Sequence, residues 1–249
     1  MNNEYGHNFY KDRHQKTVYS VNAILAIVVD ALPEIHSAVD FGCGVGTWLS
    51  VLREMGVIDI QGFDGHWVEA SLLEIPNENF RHVDLEGVIN VSRRYDLAIS
   101  LEVAEHLRPE IAKAFVGSLV SAADFILFSA AIPFQGGKSH VNEQWLDYWV
   151  RLFDEKGYVG LDFIRRAIWD DENIPVWYRQ NAVMFVNRGR INDISNKKLD
   201  ICSQFFPVSL VHPESYISQI SKMSSVNGSF KLFRRAIKSF IKQRLSTAR

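Results

Sequence analysis

The stretch VDFGCGVGTW, Val39 to Trp48, decides how this chain is read. Three glycines, Gly42, Gly44 and Gly46, follow a short apolar run and precede a segment of helical period. Glycine reaches positive φ without steric cost and lets a ligand approach the main chain closely. The dinucleotide fingerprint G-x-G-x-x-G seats a pyrophosphate on a helix N-terminus. Here the spacing is G-x-G-x-G, and Asp40 stands two residues before the first glycine. A carboxylate at that place repels phosphate and can hold an ammonium group. The turn therefore reads as part of a pocket for a nucleoside without phosphates.

Outward from this turn, β-branched and aromatic runs alternate with segments of helical period. HSAVDFG (36–42), VIDIQGFD, NFRHVDLE, YDLAISL, DFILFSAA, YVGLDFIRRAIW and QNAVMFVNR read as strands. TVYSVNAILAIVVDALP, stopped at Pro33, TWLSVLREMG, closed by Gly56, PEIAKAFVGSLVSA, with Pro109 near its first turn, and EQWLDYWVRLFDEKG, ended by Gly157, read as helices. Alternation of this kind predicts βαβ units in an open, doubly wound α/β sheet with helices on both faces. Ligands in such sheets bind beyond the carboxyl ends of the strands. The second strand ends at Asp64, placed to accept from both ribose hydroxyls, and the third near Asp84, placed to accept from an adenine amino group. Acid, glycines, acid and acid describe a nucleoside that carries an amino acid: S-adenosylmethionine.

VDFGCGVGTWL, GFDG, HVDLE and YDLAISLEVAEHL together resemble the successive motifs of class I S-adenosylmethionine-dependent methyltransferases, over roughly residues 15–190. The resemblance implies a Rossmann-like, mostly parallel seven-stranded sheet. It implies Asp40, Gly42, Gly44 and Gly46 around the methionine part, Asp64 on the ribose, Asp84 with Leu85 at the adenine, and Ser100, Leu101 and Glu102 beside the sulfonium.

A sugar hydroxyl is a poor nucleophile and needs a general base or a cation to lower its pKa. On one helical turn Glu102, Glu105 and His106 would share a face, and His140 after the fifth strand could complete a site for Mg or Mn. The E-x-x-E-H pattern resembles the metal element of ubiquinone-pathway and small-RNA O-methyltransferases. The same acids also suit the first turn of an ordinary helix, and His106 could act without a metal. His140 is a candidate general base, or alternatively a helix-capping residue. Glu143, Gln144 and Trp145 could orient a polyhydroxylated substrate. Trp177, Tyr178 and Arg179 could close the pocket from a folded-over hairpin, or simply pack it. IPFQGG, HVNEQW and VWYRQN resemble methyltransferases of bacterial polysaccharide and O-antigen synthesis, which implies a sugar or glycan-precursor acceptor. A small aromatic or quinone-type acceptor, and a non-catalytic cofactor-binding subunit, are the alternative readings.

Bulk composition sets the outer limits. Hydrophobic residues make up 47% and charged residues 22%, enough apolar material for a sizeable core. Cys43 and Cys202 are far apart in unlike contexts, so no disulfide framework is expected. The polar first residues carry no signal pattern, and apolar runs are too short to cross a membrane, so a cytoplasmic place is expected. Charge is uneven: Ser229–Arg249 holds seven Lys or Arg and no acid, which leaves 20 basic against 29 acidic residues elsewhere. The expected organisation is a catalytic domain over 1–190, a wrapping or linking segment over 191–228, and a basic amphipathic helix over 229–249. That helix suits peripheral contact with an anionic membrane, packing on the acidic remainder or, least well, nucleic acid.

Overall fold

In the computed structural model the described residues are 7–87, 89, 91–195, 208–226, 228–230, 233, 234 and 237, with side chains from residue 17 onward. The chain divides into two units, Met1–Leu210 and Val211–Arg249.

The first unit holds seven strands: β1 (Ser37–Phe41), β2 (Asp59–Asp64), β3 (Phe80–His82), β4 (Tyr95–Leu101), β5 (Ala123–Ser129), β6 (Tyr158–Leu161) and β7 (Val183–Asn187). They form one sheet in the order β3-β2-β1-β4-β5-β7-β6. All pairs are parallel except those of β7, which runs antiparallel to β5 and β6. Strand order reverses between β1 and β4, so the switch point lies above those two strands. The expected Rossmann-like doubly wound sheet is what the chain forms.

Alternate strand residues feed two apolar layers, as the period of two requires. Ala38, Leu97 and Ile99 face the layer that includes Ile24, Leu25 and Val28 of α1 (His7–Ala31) and Leu49 and Leu52 of α2 (Thr47–Glu54). Val39, Ala98 and Ile126 face the other, with Phe115 and Leu119 of α3 (Ala112–Ala122) and Trp149 and Phe153 of α4 (Leu146–Asp154). The helix read as 17–33 begins ten residues earlier, and that read from Glu143 begins at Leu146.

One expected strand is shorter than its sequence suggested. YVGLDFIRRAIW is strand only to Leu161, and Ile164–Ile168 forms α5. The cause is Arg165. Its guanidinium is buried, takes both oxygens of Asp162 three residues back, and donates to the carbonyls of Gln180 and Val208. Spacing i, i+3 is a helical spacing, and a charge without solvent has to find such partners. A last short helix of this unit, α6 (Val176–Asn181), precedes β7.

The second unit contains α7 (Pro213–Ser224), with Pro213 in its first turn and the His212 ring accepting from the Glu214 N–H. Tyr216, Ile217 and Ile220 on it are exposed. The expected wrapping segment is undescribed over 196–207. Of the expected basic helix, positions 229, 230, 233, 234 and 237 are described, all helical; the rest lies outside the described residues. No described helix is long and apolar enough to cross a membrane.

Removing one partner of a buried ion pair leaves an uncompensated charge, at about 3–5 kcal/mol. Arg165→Ala should therefore lower unfolding free energy by about that amount in urea titrations, whereas Arg151→Ala, on an exposed pair with Asp147, should change it by less than about 1 kcal/mol.

Candidate active site

The turn after β1 closes against the end of β2. The N–H groups of Gly42 and Cys43 both donate to the Phe63 carbonyl (2.8 and 3.1 Å). The Asp64 carboxylate accepts from Gly44 and Gly65, each at 2.6 Å. Gly42 and Gly46 are obligatory for two reasons. Each has φ near +90°, and an added Cβ would meet a Val103 methyl at 2.4 Å or Ile75 at 2.8 Å. Asp40 is buried beneath the turn, and burial, aided by the charge of Asp64, holds its carboxyl well above the ordinary value.

Above this edge opens a cavity of about 730 Å³. Its walls include Gly42, Asp64, Asp84, Leu85 and Glu102, which the sequence had singled out, with His106 at one side. Trp67, Glu86, Val103, Leu107, Lys138 and Ser139 complete it. Trp67, which is 76% exposed, and Lys138 and Ser139 carry no local signal that marks them as wall residues. Ser100 and Leu101 stand behind the wall. Ser100 is wholly buried, its hydroxyl without a partner, and Leu101 packs on the core.

The corner after β4 is not one helical turn. Glu102 lies outside any helix at φ +55°, and a 3₁₀ turn covers Ala104–His106. Glu102 therefore does not share a helical face with Glu105 and His106, although its carboxyl stays close to that of Glu105. Its oxygens accept from the amide groups of Gln135 (2.9 Å) and Asn181 (3.1 Å), and its N–H donates to the Ser129 hydroxyl. Gln180 donates to Gln135 in turn. Burial raises the Glu102 carboxyl above its usual range despite these bonds.

Glu105, His106 and His140 do come together: one ligand atom from each lies within 4.8 Å of the others. The four-ligand set with Glu102 is thus reduced to three. Glu105 is fully buried, and neither carboxylate oxygen has a well-formed hydrogen bond. Burial, then the nearby charge of Glu102, pushes its pKa up to about 9. Burial, then the charge of His140, lowers that of His106, which therefore holds a proton less readily than an ordinary histidine. The His106 and His140 rings meet edge to face, centroids 4.8 Å apart. A buried carboxyl without a well-formed hydrogen bond and two adjacent imidazoles suit a hard or borderline divalent ion in ligand type.

The residues expected to bind substrate have other duties. Glu143 accepts from the N–H groups of Phe134 (2.9 Å) and Gly136 (2.8 Å) and contacts His140 Nδ1 (3.0 Å), so it closes the loop after β5. Gln144 donates to Asn142. The Trp177–Arg179 segment is helix α6 and not a hairpin. Arg179 is buried, with its guanidinium on the carbonyls of Ile174 and Trp169. Tyr178 packs against Trp48, and burial pushes its hydroxyl up to about 12. Trp145 and Trp177 are partly exposed and do not line the cavity.

Fold and cavity together define a Rossmann-like α/β protein with a nucleoside-sized site at its switch point. The methyltransferase domain family matches residues 13–158, more than half of the chain. No curated protein matches it. Among solved structures, DesVI of Streptomyces venezuelae is 14% identical, with 72% of this chain covering 94% of that one at a TM-score of 0.52. Magnesium protoporphyrin IX methyltransferase (ChlM) of Synechocystis PCC 6803, solved with bound S-adenosylhomocysteine, is 20% identical, with coverage of 70% and 83% and a TM-score of 0.49. LaPhzM is 16% identical at a TM-score of 0.47; 72% of this chain covers 57% of it, little more than half. The chain belongs to the methyltransferase domain family.

Glu105 makes folding pH-dependent. Its folded pKa of about 9 exceeds the ordinary 4.5, so the folded state keeps a proton that the unfolded chain releases. Its stabilising contribution is full below about pH 4.5 and is lost as pH rises toward about 9, at up to about 1.4 kcal/mol per pH unit. With divalent ions removed, Glu105→Gln should flatten this slope and raise stability at pH 8, measured by urea titration across that window.

Proposed function

We propose that this chain is an S-adenosylmethionine-dependent methyltransferase that acts on a hydroxyl of a sugar or glycan precursor. The cofactor's methionine part rests on the turn of Asp40, Gly42, Gly44 and Gly46, its ribose on Asp64, and its adenine beside Asp84 and Leu85. Its sulfonium borders Glu102 and Val103. The acceptor oxygen attacks the methyl carbon in line, the carbon–sulfur bond breaks, and S-adenosylhomocysteine leaves as a neutral thioether. A hydroxyl surrenders its proton late and needs a base at hand.

The observation that carries this reading is the group of Glu105, His106 and His140, of which His106 lines the cavity. His106 stands on the wall and His140 stands beside it. Either imidazole can take the hydroxyl proton; acceptors of low pKa would have no need of such a group. The exposed Trp67 ring on the same wall offers a stacking face of the kind that sugars use.

A second reading is favoured by the Glu105 carboxylate, which lacks a well-formed hydrogen bond. Glu105, His106 and His140 would hold a Mg or Mn ion, which when bound lowers the pKa of a coordinated hydroxyl. Glu105 would then be ionised and satisfied.

Radiolabelled S-adenosylmethionine supplied with sugars, nucleotide sugars and small phenols tests the acceptor. Label should appear as an ether on a sugar hydroxyl; transfer to phenols alone would overturn the proposal. His106→Ala and His140→Ala should each lower kcat by about 10²–10⁴-fold. Activity that survives chelator supports the base; loss restored by Mg or Mn supports the ion. In calorimetry, Asp64→Ala should weaken cofactor binding by about 10–100-fold, the worth of one or two charge-assisted hydrogen bonds, and unchanged affinity would overturn the ribose assignment.

A further inference from the structure

Glu143 does more than close a loop. Its Oε1 accepts from the Gly136 N–H and lies 3.0 Å from His140 Nδ1, while its Oε2 accepts from the Phe134 N–H. Both side chains are mostly shielded from solvent, at 12% exposed for His140 and 21% for Glu143. The loop that leads into them is conformationally demanding: Phe134, Gly136 and Ser139 all have φ between +64° and +74°. Both Glu143 oxygens act as acceptors, toward Phe134 and Gly136, so the imidazole nitrogen that faces them must present a proton. The far edge of the ring lies against Gly137. A Cβ there would sit 2.1 Å from His140 Nε2, so only glycine leaves room for the ring in this position.

We propose that Glu143 is the positioning residue of His140: it fixes the Nδ1–H tautomer and leaves the Nε2 lone pair to act toward the acceptor. The inference rests on the role given to His140 above. A base or ligand that must use Nε2 is useless in the opposite tautomer, where that atom already carries hydrogen. Glu143 therefore couples the shape of the loop to the chemistry of the ring. Any variant that keeps the loop but loses the second carboxylate oxygen should separate the two.

Glu143→Gln is that variant, because a single amide oxygen cannot satisfy Phe134, Gly136 and His140 together. The primary readout is the ¹⁵N chemical shifts of the His140 ring in long-range ¹H–¹⁵N correlation, at about pH 8.5 so that imidazoles of ordinary pKa are neutral. The native protein should show the Nδ1–H tautomer, and Glu143→Gln a mixture shifted toward Nε2–H. A native Nε2–H tautomer, or no change in the variant, overturns the proposal. In turnover, kcat should fall by about 10–100-fold with KM for S-adenosylmethionine within about twofold. Gly137→Ala should lose kcat, because a Cβ 2.1 Å from Nε2 must displace the ring; an unchanged kcat would overturn the assignment of that atom. Should Glu143→Gln fail to fold, the native tautomer and Gly137→Ala still decide the matter. The ring shifts need no acceptor, so a failure to methylate sugars with the native tautomer intact counts against the acceptor class alone.

Discussion

The closure of the β1–α2 turn on the end of β2 governs the upper edge of the sheet. One carbonyl, that of Phe63, takes two successive N–H groups, and one carboxylate, that of Asp64, takes two more. Four main-chain donors are satisfied at a place where backbone must bend sharply and stay buried. The bend is possible only because glycine tolerates positive φ and because Val103 and Ile75 occupy the volume that side chains would need. The turn, the corner after β4 and the segment before β3 are therefore one packed assembly. The charge that organises it lies beside a second acid, Asp40, that burial drives toward neutrality.

Two carboxyl groups three residues apart meet opposite fates at the next corner. Glu102 is ringed by amide donors from Gln135 and Asn181, so it is satisfied by neutral dipoles from two distant segments. Glu105 is more deeply buried, and neither of its oxygens has a well-formed hydrogen bond. Desolvation so weakly compensated is costly, and native proteins keep such groups rarely outside functional sites. Backbone geometry contributes to the difference. Glu102, left-handed and outside any helix, brings its oxygens to Gln135 and Asn181, and Glu105 lies in the 3₁₀ turn that follows.

Much of the fold was legible because apolar runs and helix punctuation are local properties. YDLAISL is β4 residue for residue, and the glycines, Asp64, Asp84 and Leu85 fall at the edge where strand alternation places them. What escaped depended on long-range partners. Arg165 turns a strand-like run into a helix by bonding to Gln180 and Val208, neither of which its own neighbourhood announces. Gln180 and Asn181 stand in VWYRQN, but nothing local places them against Gln135 and Glu102. β7 is antiparallel, so its beginning, not its end, lies at the site edge, and α6 delivers its last residues there. The E-x-x-E-H grouping was half right. Its spacing was read on an ideal helix, and the chain makes no helix at Glu102.

The cavity is assembled from two separate lengths of polypeptide. Ten of its twelve wall residues fall between Gly42 and Leu107, and only Lys138 and Ser139 come from the loop beyond β5. That loop is tied to itself through Glu143, and to the β4 corner and α6 through Gln135 and Asn142. The two lengths of chain are thus mechanically joined, and a change in the shorter one is felt at Glu102 in the longer.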